Sequence, residues 1–216
     1  MAKQQIYKSR TLTIGITDHY QEPYDIEEKA FGEKVKFINF NSRDEKTFNE
    51  EILQKIDALL VFHARITEKT IKKLINCKII VRYGVGTDNI DLDALKKYGI
   101  PACNTPDYGI EEIAATATAH LLNLWRRISA YDIASRNDDG NWAKNIITPI
   151  TRISEATLGV IGTGRIGTNV IKNMKPYGCR IIGFDQYQTE EHAREHGYMH
   201  AETLEQLLTL SDAISL

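Results

Sequence analysis

The stretch Val160-Ile161-Gly162-Thr163-Gly164-Arg165-Ile166-Gly167 decides the fold. It matches G-x-G-x-x-G. An apolar run, Thr157-Leu-Gly-Val-Ile161, precedes it. An amphipathic stretch from Arg165 to Tyr177 follows, with Ile166, Val170, Ile171 and Met174 at inward spacing. A second apolar run, Arg180-Ile-Ile-Gly-Phe184, leads directly into Asp185, about twenty residues on. Strand, glycine turn, helix, strand and acidic residue, in that order, mark a dinucleotide-binding unit.

Each position has a physical task. Gly162 permits the tight turn, Gly164 lets a pyrophosphate approach the backbone, and Gly167 lets helix and strand pack closely. Backbone N–H groups of the turn and helix start (Thr163, Arg165 and Ile166 lie here) attract phosphates, helped by the helix dipole. Asp185 is placed to accept hydrogen bonds from the adenosine ribose, and a 2′-phosphate there would meet its negative charge. Gln186 and Tyr187 supply no arginine to receive one, so NAD is preferred to NADP. A glycine turn serving only strand–helix packing is the alternative, and the surrounding order favours the cofactor.

Downstream, the pattern predicts a helix over Glu190–His196, a short strand near Met199, a helix over Leu204–Leu210 and a strand over Ala213–Leu216. A doubly wound domain of six strands needs more, so the chain is expected to be truncated. Upstream, Ile110, Ile113, Ala114, Ala117, Leu121, Leu124, Trp125 and Ile128 recur at helical spacing and predict one long helix with these residues on its buried face. The polar segment Arg136–Glu155, with Asp138-Asp139-Gly140-Asn141 as a loop, reads as a connection. Before that, five short apolar runs (Leu12–Ile16, Val35–Ile38, Ala58–Phe62, Lys78–Arg82, Ile100–Cys103) alternate with helical patterns such as Phe48–Ile56 and Glu68–Ile75. Such alternation implies a parallel sheet with helices on its faces.

The 216 residues carry 27 Lys plus Arg against 29 Asp plus Glu, a net charge of -2. No basic surplus drives binding to nucleic acid. No apolar run approaches the length of a membrane span, and Met1–Arg10 lacks the apolar core of a signal peptide. Cys77, Cys103 and Cys179 lie far apart and form no zinc pattern. They read as buried thiols in a reducing, cytoplasmic setting. His192, His196 and His200 have i, i+4 spacing, but on a charged segment they read as a solvated face rather than a metal site.

The glycine turn, together with Arg82-Tyr83-Gly84-Val85-Gly86-Thr87-Asp88-Asn89-Ile90-Asp91 and Asn104-Thr105-Pro106 through Ala115, resembles the D-isomer-specific 2-hydroxyacid dehydrogenases across essentially the whole chain. His120–Arg127 and Tyr108–Ile113 are most similar to the branch of C-terminal-binding protein corepressors, with the phosphoglycerate dehydrogenases next. Ala115 departs from the family pattern, which has an acidic residue there. The resemblance implies an α/β protein of two doubly wound units. Residues 1–105 would be a flavodoxin-like substrate domain and residues 106–216 an incomplete Rossmann NAD-binding domain. It also implies a homodimer, a small 2-hydroxy or 2-keto acid as substrate, and a cleft between the domains holding nicotinamide and substrate.

In such enzymes a loop like Gly84-Val85-Gly86 takes the substrate carboxylate on backbone N–H groups. Val85 and Gly86 are the implied donors, with Tyr83 beside the substrate. From the residues alone, the loop reads either as an anion nest or as a simple turn. His63, at the end of a strand, reads either as a substrate-side residue, as in the corepressor branch, or as a surface histidine. The family's histidine base, its glutamate and its arginine fall beyond Leu216, so no catalytic residue is assigned and the chain is expected to be catalytically incomplete. The alternative function is a non-catalytic, NAD-responsive dimerisation module.

Overall fold

The computed structural model describes residues 10–18, 23–32, 34–137 and 150–216. The expectations for residues 1–9 and for the loop Asp138-Asp139-Gly140-Asn141 lie outside the described residues. Two compact units are present, one ending at Tyr108 and one running Gly109–Leu216.

The first unit contains β1 (Leu12–Ile16), α1 (Asp25–Phe31), β2 (Val35–Asn39), α2 (Glu50–Leu53), β3 (Ala58–Val61), α3 (Glu68–Ile71), β4 (Ile79–Arg82), α4 (Leu92–Tyr98) and β5 (Ala102–Asn104). All pairings are parallel, in the order β2-β1-β3-β4-β5. This is the flavodoxin-like order, whose direction reverses between β1 and β3. Successive strand residues point to opposite faces. Leu59 and Val61 therefore join the core with Ile56, Ile66 and Ile80, while Leu60 joins Ile14, Ile16 and Tyr24 on the other side.

The windows Phe48–Ile56 and Glu68–Ile75 are helical over only their first turns, entered through the caps Asn49 and Thr67. Ile56 and Leu74 are still buried. Ile75, the last apolar residue of the second window, is exposed, so the apolar spacing overstated both the burial and the length of the helical hydrogen bonding.

The second unit contains α5 (Ile110–Arg126), α6 (Ile128–Asn137), β6 (Thr157–Ile161), α7 (Arg165–Met174), β7 (Arg180–Phe184), α8 (Glu190–His196), β8 (Met199–His200), α9 (Leu204–Leu210) and β9 (Ala213–Ser215). The parallel sheet runs β8-β7-β6-β9, the 3-2-1-4 half of a Rossmann order, with its reversal between β6 and β9. Leu158, Val160, Val170, Ile171, Met174 and Trp125 form its core. Thr189 and Thr203 cap α8 and α9 by accepting the backbone N–H of His192 and Gln206.

Three expectations are corrected. The long helix is interrupted at Arg127, whose φ of 56° is left-handed. Ile128 falls on the next helix and is exposed, and within α5 itself Ala114, Leu121 and Trp125 are buried while Ile113 and Leu124 are exposed, so the apolar face is only partly covered. Ile166, in the first turn of α7, is also exposed, because that turn projects past the end of β6. Cys103 is exposed, whereas Cys77 and Cys179 are buried. Among the described residues, no helix is long and apolar enough to cross a membrane.

Candidate functional site

The glycine turn begins where β6 ends. Gly162 has φ +84°, a region that side chains disfavour, and its N–H donates to Phe184 O at 2.8 Å. The next N–H, of Thr163, donates to Asp185 Oδ2 at 2.8 Å. The Tyr187 N–H donates to Asp185 Oδ1, also at 2.8 Å. Each carboxylate oxygen is thus fixed by one amide and keeps acceptor capacity for further donors. Asp185 lines a groove of about 360 Å³ together with Ile161, Gly162, Phe184, Gln186 and Tyr187.

Gly164 is the N-cap of α7 and makes no side-chain cap. A Cβ there would meet nothing within 4 Å, so the backbone faces open space. At Gly167 a Cβ would lie 2.0 Å from Gly162 O, so the helix abuts the turn. These features fit a dinucleotide: a bare helix start for phosphates beside a carboxylate-lined groove for a ribose. Arg165 and Ile166 form the first exposed turn of α7.

A polar chain lies beneath the turn. Thr163 is 1% exposed and Tyr198 is buried. The Tyr198 hydroxyl donates to Thr163 Oγ1 at 2.9 Å, and His192 Nδ1 is 3.0 Å from the same hydroxyl. Burial pushes the Tyr198 hydroxyl pKa up, and the Asp185 charge adds to this, outweighing the Thr163 hydrogen bond. Tyr198 therefore stays protonated and able to donate. His192 also packs on His196 at 4.3 Å between ring centroids. Among the described residues no group of three His, Cys, Asp or Glu is arranged to hold a metal ion.

In the first unit, the loop after β4 carries the other candidates. Gly84 has φ +153°, and a Cβ there would overlap the Arg82 guanidinium. Gly84 O accepts the Thr105 N–H at 3.1 Å, and Val85 O accepts Asn104 Nδ2 at 2.7 Å. In a planar trans peptide the N–H points opposite to the C=O. Holding these two carbonyls toward β5 therefore turns the Val85 and Gly86 N–H groups away from it. Neither N–H has a hydrogen-bond partner among the described residues. Two successive amides so displayed are the arrangement that an anion nest uses.

Tyr83 is placed differently. Its hydroxyl donates to Glu27 Oε1 at 2.9 Å, and its ring packs against the cluster of Ile14 and Tyr24. His63 follows β3 and is exposed. The buried Asp18, just after β1, holds the backbone there by accepting from His63 N (3.1 Å) and Ala64 N (3.1 Å). Asn89 ties this turn to the β4 loop, donating to Phe62 O at 3.2 Å and Ala64 O at 2.9 Å. His63 and the Val85–Gly86 nest thus share the carboxyl edge of one sheet, where open α/β sheets take ligands. Sequence reasoning missed Asp18, Asn89, Asn104 and Tyr198. Asp18 carried a usable signal, as a polar residue directly after a central strand, and Asn89 and Asn104 lie within the two stretches that carry the family resemblance, with no role assigned to them there.

Residues 15–213 match the family described as D-isomer specific 2-hydroxyacid dehydrogenase, catalytic domain. C-terminal-binding protein 1 of Caenorhabditis elegans is 27% identical over 187 residues, covering 84% of this chain and 25% of that protein. D-3-phosphoglycerate dehydrogenase of Bacillus subtilis (strain 168) is 32% identical over 168 residues, covering 77% of this chain and 31% of that protein. The chain thus spans a quarter to a third of these curated relatives. The crystal structure of D-lactate dehydrogenase from Aquifex aeolicus, complexed with NAD and lactic acid, superposes with a TM-score of 0.78 at 30% identity, covering 94% of this chain and 60% of that one.

Proposed function

Since the chain belongs to the D-isomer-specific 2-hydroxyacid dehydrogenase family, we propose that it supplies the NAD-binding and carboxylate-binding parts of an NAD-dependent 2-hydroxyacid oxidoreductase. The second unit takes the cofactor. Gly164, Arg165 and Ile166, at the open start of α7, receive the pyrophosphate, Gly162, Thr163 and Gly167 shape the turn that presents them, and Asp185 receives the ribose hydroxyls. The first unit takes the small 2-hydroxy or 2-keto acid, with Val85 and Gly86 donating to its carboxylate, Tyr83 close by in the chain and His63 on the same sheet edge. Bound NAD supplies the hydride acceptor for the carbon bearing the hydroxyl, and NADH the donor in reverse. No residue of the 216 is assigned the proton transfer, so binding rather than turnover is the property proposed for this chain.

The observation that carries this reading is the joining of Asp185 to the glycine turn through the Thr163 N–H. It places a fixed negative charge beside the groove, favouring ribose hydroxyls over a 2′-phosphate. The test is a fluorescence titration with NADH and NADPH. Saturable NADH binding is expected, with NADPH at least about tenfold weaker. Absence of NADH binding, or equal affinity for both, overturns the reading.

A second reading, an NAD-responsive dimerisation module, has its own observation. Ile113, Leu124, Ile128 and Ile133 on α5 and α6 are 48–61% exposed. Apolar side chains so displayed on consecutive helices suit a second copy of the chain. Sedimentation with and without NADH tests it: a cofactor-dependent increase in mass supports this reading, and an unchanged mass counts against it.

A further inference from the structure

We propose that Tyr198 is a positioning residue for the cofactor turn, acting through Thr163; this rests on the NAD reading above. Gly183, in the middle of β7, leaves the space that makes it possible. A Cβ at Gly183 would lie 2.6 Å from Tyr198 Cε2 and 2.7 Å from Thr163 Cγ2. The Tyr198 ring and the Thr163 methyl therefore meet over a bare stretch of strand, and the Tyr198 hydroxyl reaches Thr163 Oγ1 at 2.9 Å. His192 Nδ1, 3.0 Å from the same hydroxyl, holds the far side of the phenol.

Thr163 is thereby fixed on every polar atom. Its N–H is on Asp185 Oδ2 at 2.8 Å, its carbonyl accepts from Thr168 Oγ1 at 2.9 Å, and its hydroxyl is on Tyr198. The carbonyl of Thr163 and the N–H of Gly164 belong to one planar peptide and point in opposite directions. Fixing Thr163 therefore holds the Gly164 N–H, at the N-cap of α7, pointing away from Thr168, beside the open space at Gly164 proposed for the pyrophosphate. Tyr198 touches neither phosphate nor ribose in this arrangement. Its effect is to keep the donor aimed before the cofactor arrives, which lowers the ordering cost of binding.

The test is a double-mutant cycle on the 216-residue chain with Tyr198→Phe and Thr163→Val, reading both the NADH dissociation constant and the thermal midpoint without cofactor. Phe keeps the ring over Gly183, and Val keeps the branched shape of Thr163. Each single change is expected to raise the NADH Kd about three- to tenfold, and the double variant is expected to be no weaker than the worse single. Unchanged Kd in Tyr198→Phe overturns the proposal, as does full additivity. A fall in thermal midpoint with Kd unchanged marks a merely structural hydrogen bond and also overturns it. If the wild-type chain shows no saturable NADH binding, the NAD reading itself fails and the proposal with it. If the wild type binds and Tyr198→Phe binds equally well, only the proposal fails.

Discussion

Asp185 Oδ2 accepts the Thr163 N–H at 2.8 Å, so the acidic residue closing β7 and the middle of the glycine turn after β6 are held as one piece. The carboxylate caps the turn, and on the proposed reading it also receives a ribose. Asp185→Ala removes both and is expected to raise the NADH Kd at least about tenfold, since hydrogen bonds to a charged group are the stronger kind. Fluorescence titration measures it. An affinity within twofold of the wild type would show that the ribose binds elsewhere.

Gly164 faces open space and Gly167 is packed, so the two glycines separate the proposed cofactor contact from packing. A Cβ at Gly164 meets nothing within 4 Å, whereas at Gly167 it meets backbone, Gly162 O, at 2.0 Å. Gly164→Ala is expected to leave the urea midpoint near that of the wild type while weakening NADH binding, because its methyl enters only the open space proposed for the phosphates. Gly167→Ala is expected to cost about 1–3 kcal/mol of stability, since the turn or helix must shift. Equal stability loss in both variants would contradict this division.

How much of this was legible in the sequence depended on the kind of signal. The inner strands of both sheets showed because buried parallel strands are nearly continuous apolar runs, and the turn showed because its glycines answer to local backbone geometry. Contacts distant in sequence did not. Asp18 reaches His63 across 45 positions and Tyr198 reaches Thr163 across 35, distances that no periodicity reports. The helix end before Ile128 was not legible for a local reason: Arg127 adopts a left-handed conformation that its residue type does not announce.

The three cysteines should differ sharply in reactivity. Cys77 is buried, and burial pushes its thiol up to about 11; burial also raises Cys179. Cys103 is exposed. Thiolate is the reactive form, so a disulfide-exchange dye is expected to label Cys103 rapidly in the folded chain and all three only in denaturant. Cys103→Ser should abolish the fast phase. A fast phase that survives would mean that a buried thiol opens readily.

Asp18 is 4% exposed and accepts the N–H groups of His63 and Ala64 and the Thr17 hydroxyl (2.6 Å), with the Arg43 guanidinium 3.5 Å away. It joins the ends of β1 and β3 where the sheet order reverses. Asp18→Ala leaves buried donors without an acceptor, at a cost of about 1–3 kcal/mol. Urea unfolding checks the magnitude. A loss below about 0.5 kcal/mol would show that the turn carrying His63 does not depend on this carboxylate.

Glu45 gives the first unit a pH dependence of known sign. Burial alone would raise its carboxyl, but hydrogen bonds from the Thr67 hydroxyl and N–H and from the Thr70 hydroxyl outweigh it and hold the pKa below 4.5. The folded state therefore favours the charged form. Its contribution to stability is fully present above the unfolded-state value and is lost as pH falls through the lower folded-state value. Glu45→Gln is expected to lower the urea midpoint at neutral pH, with the gap to the wild type closing as the pH is taken below 4. A gap that stays constant over that range would mean that the charge on Glu45 adds nothing to the Thr67 cap.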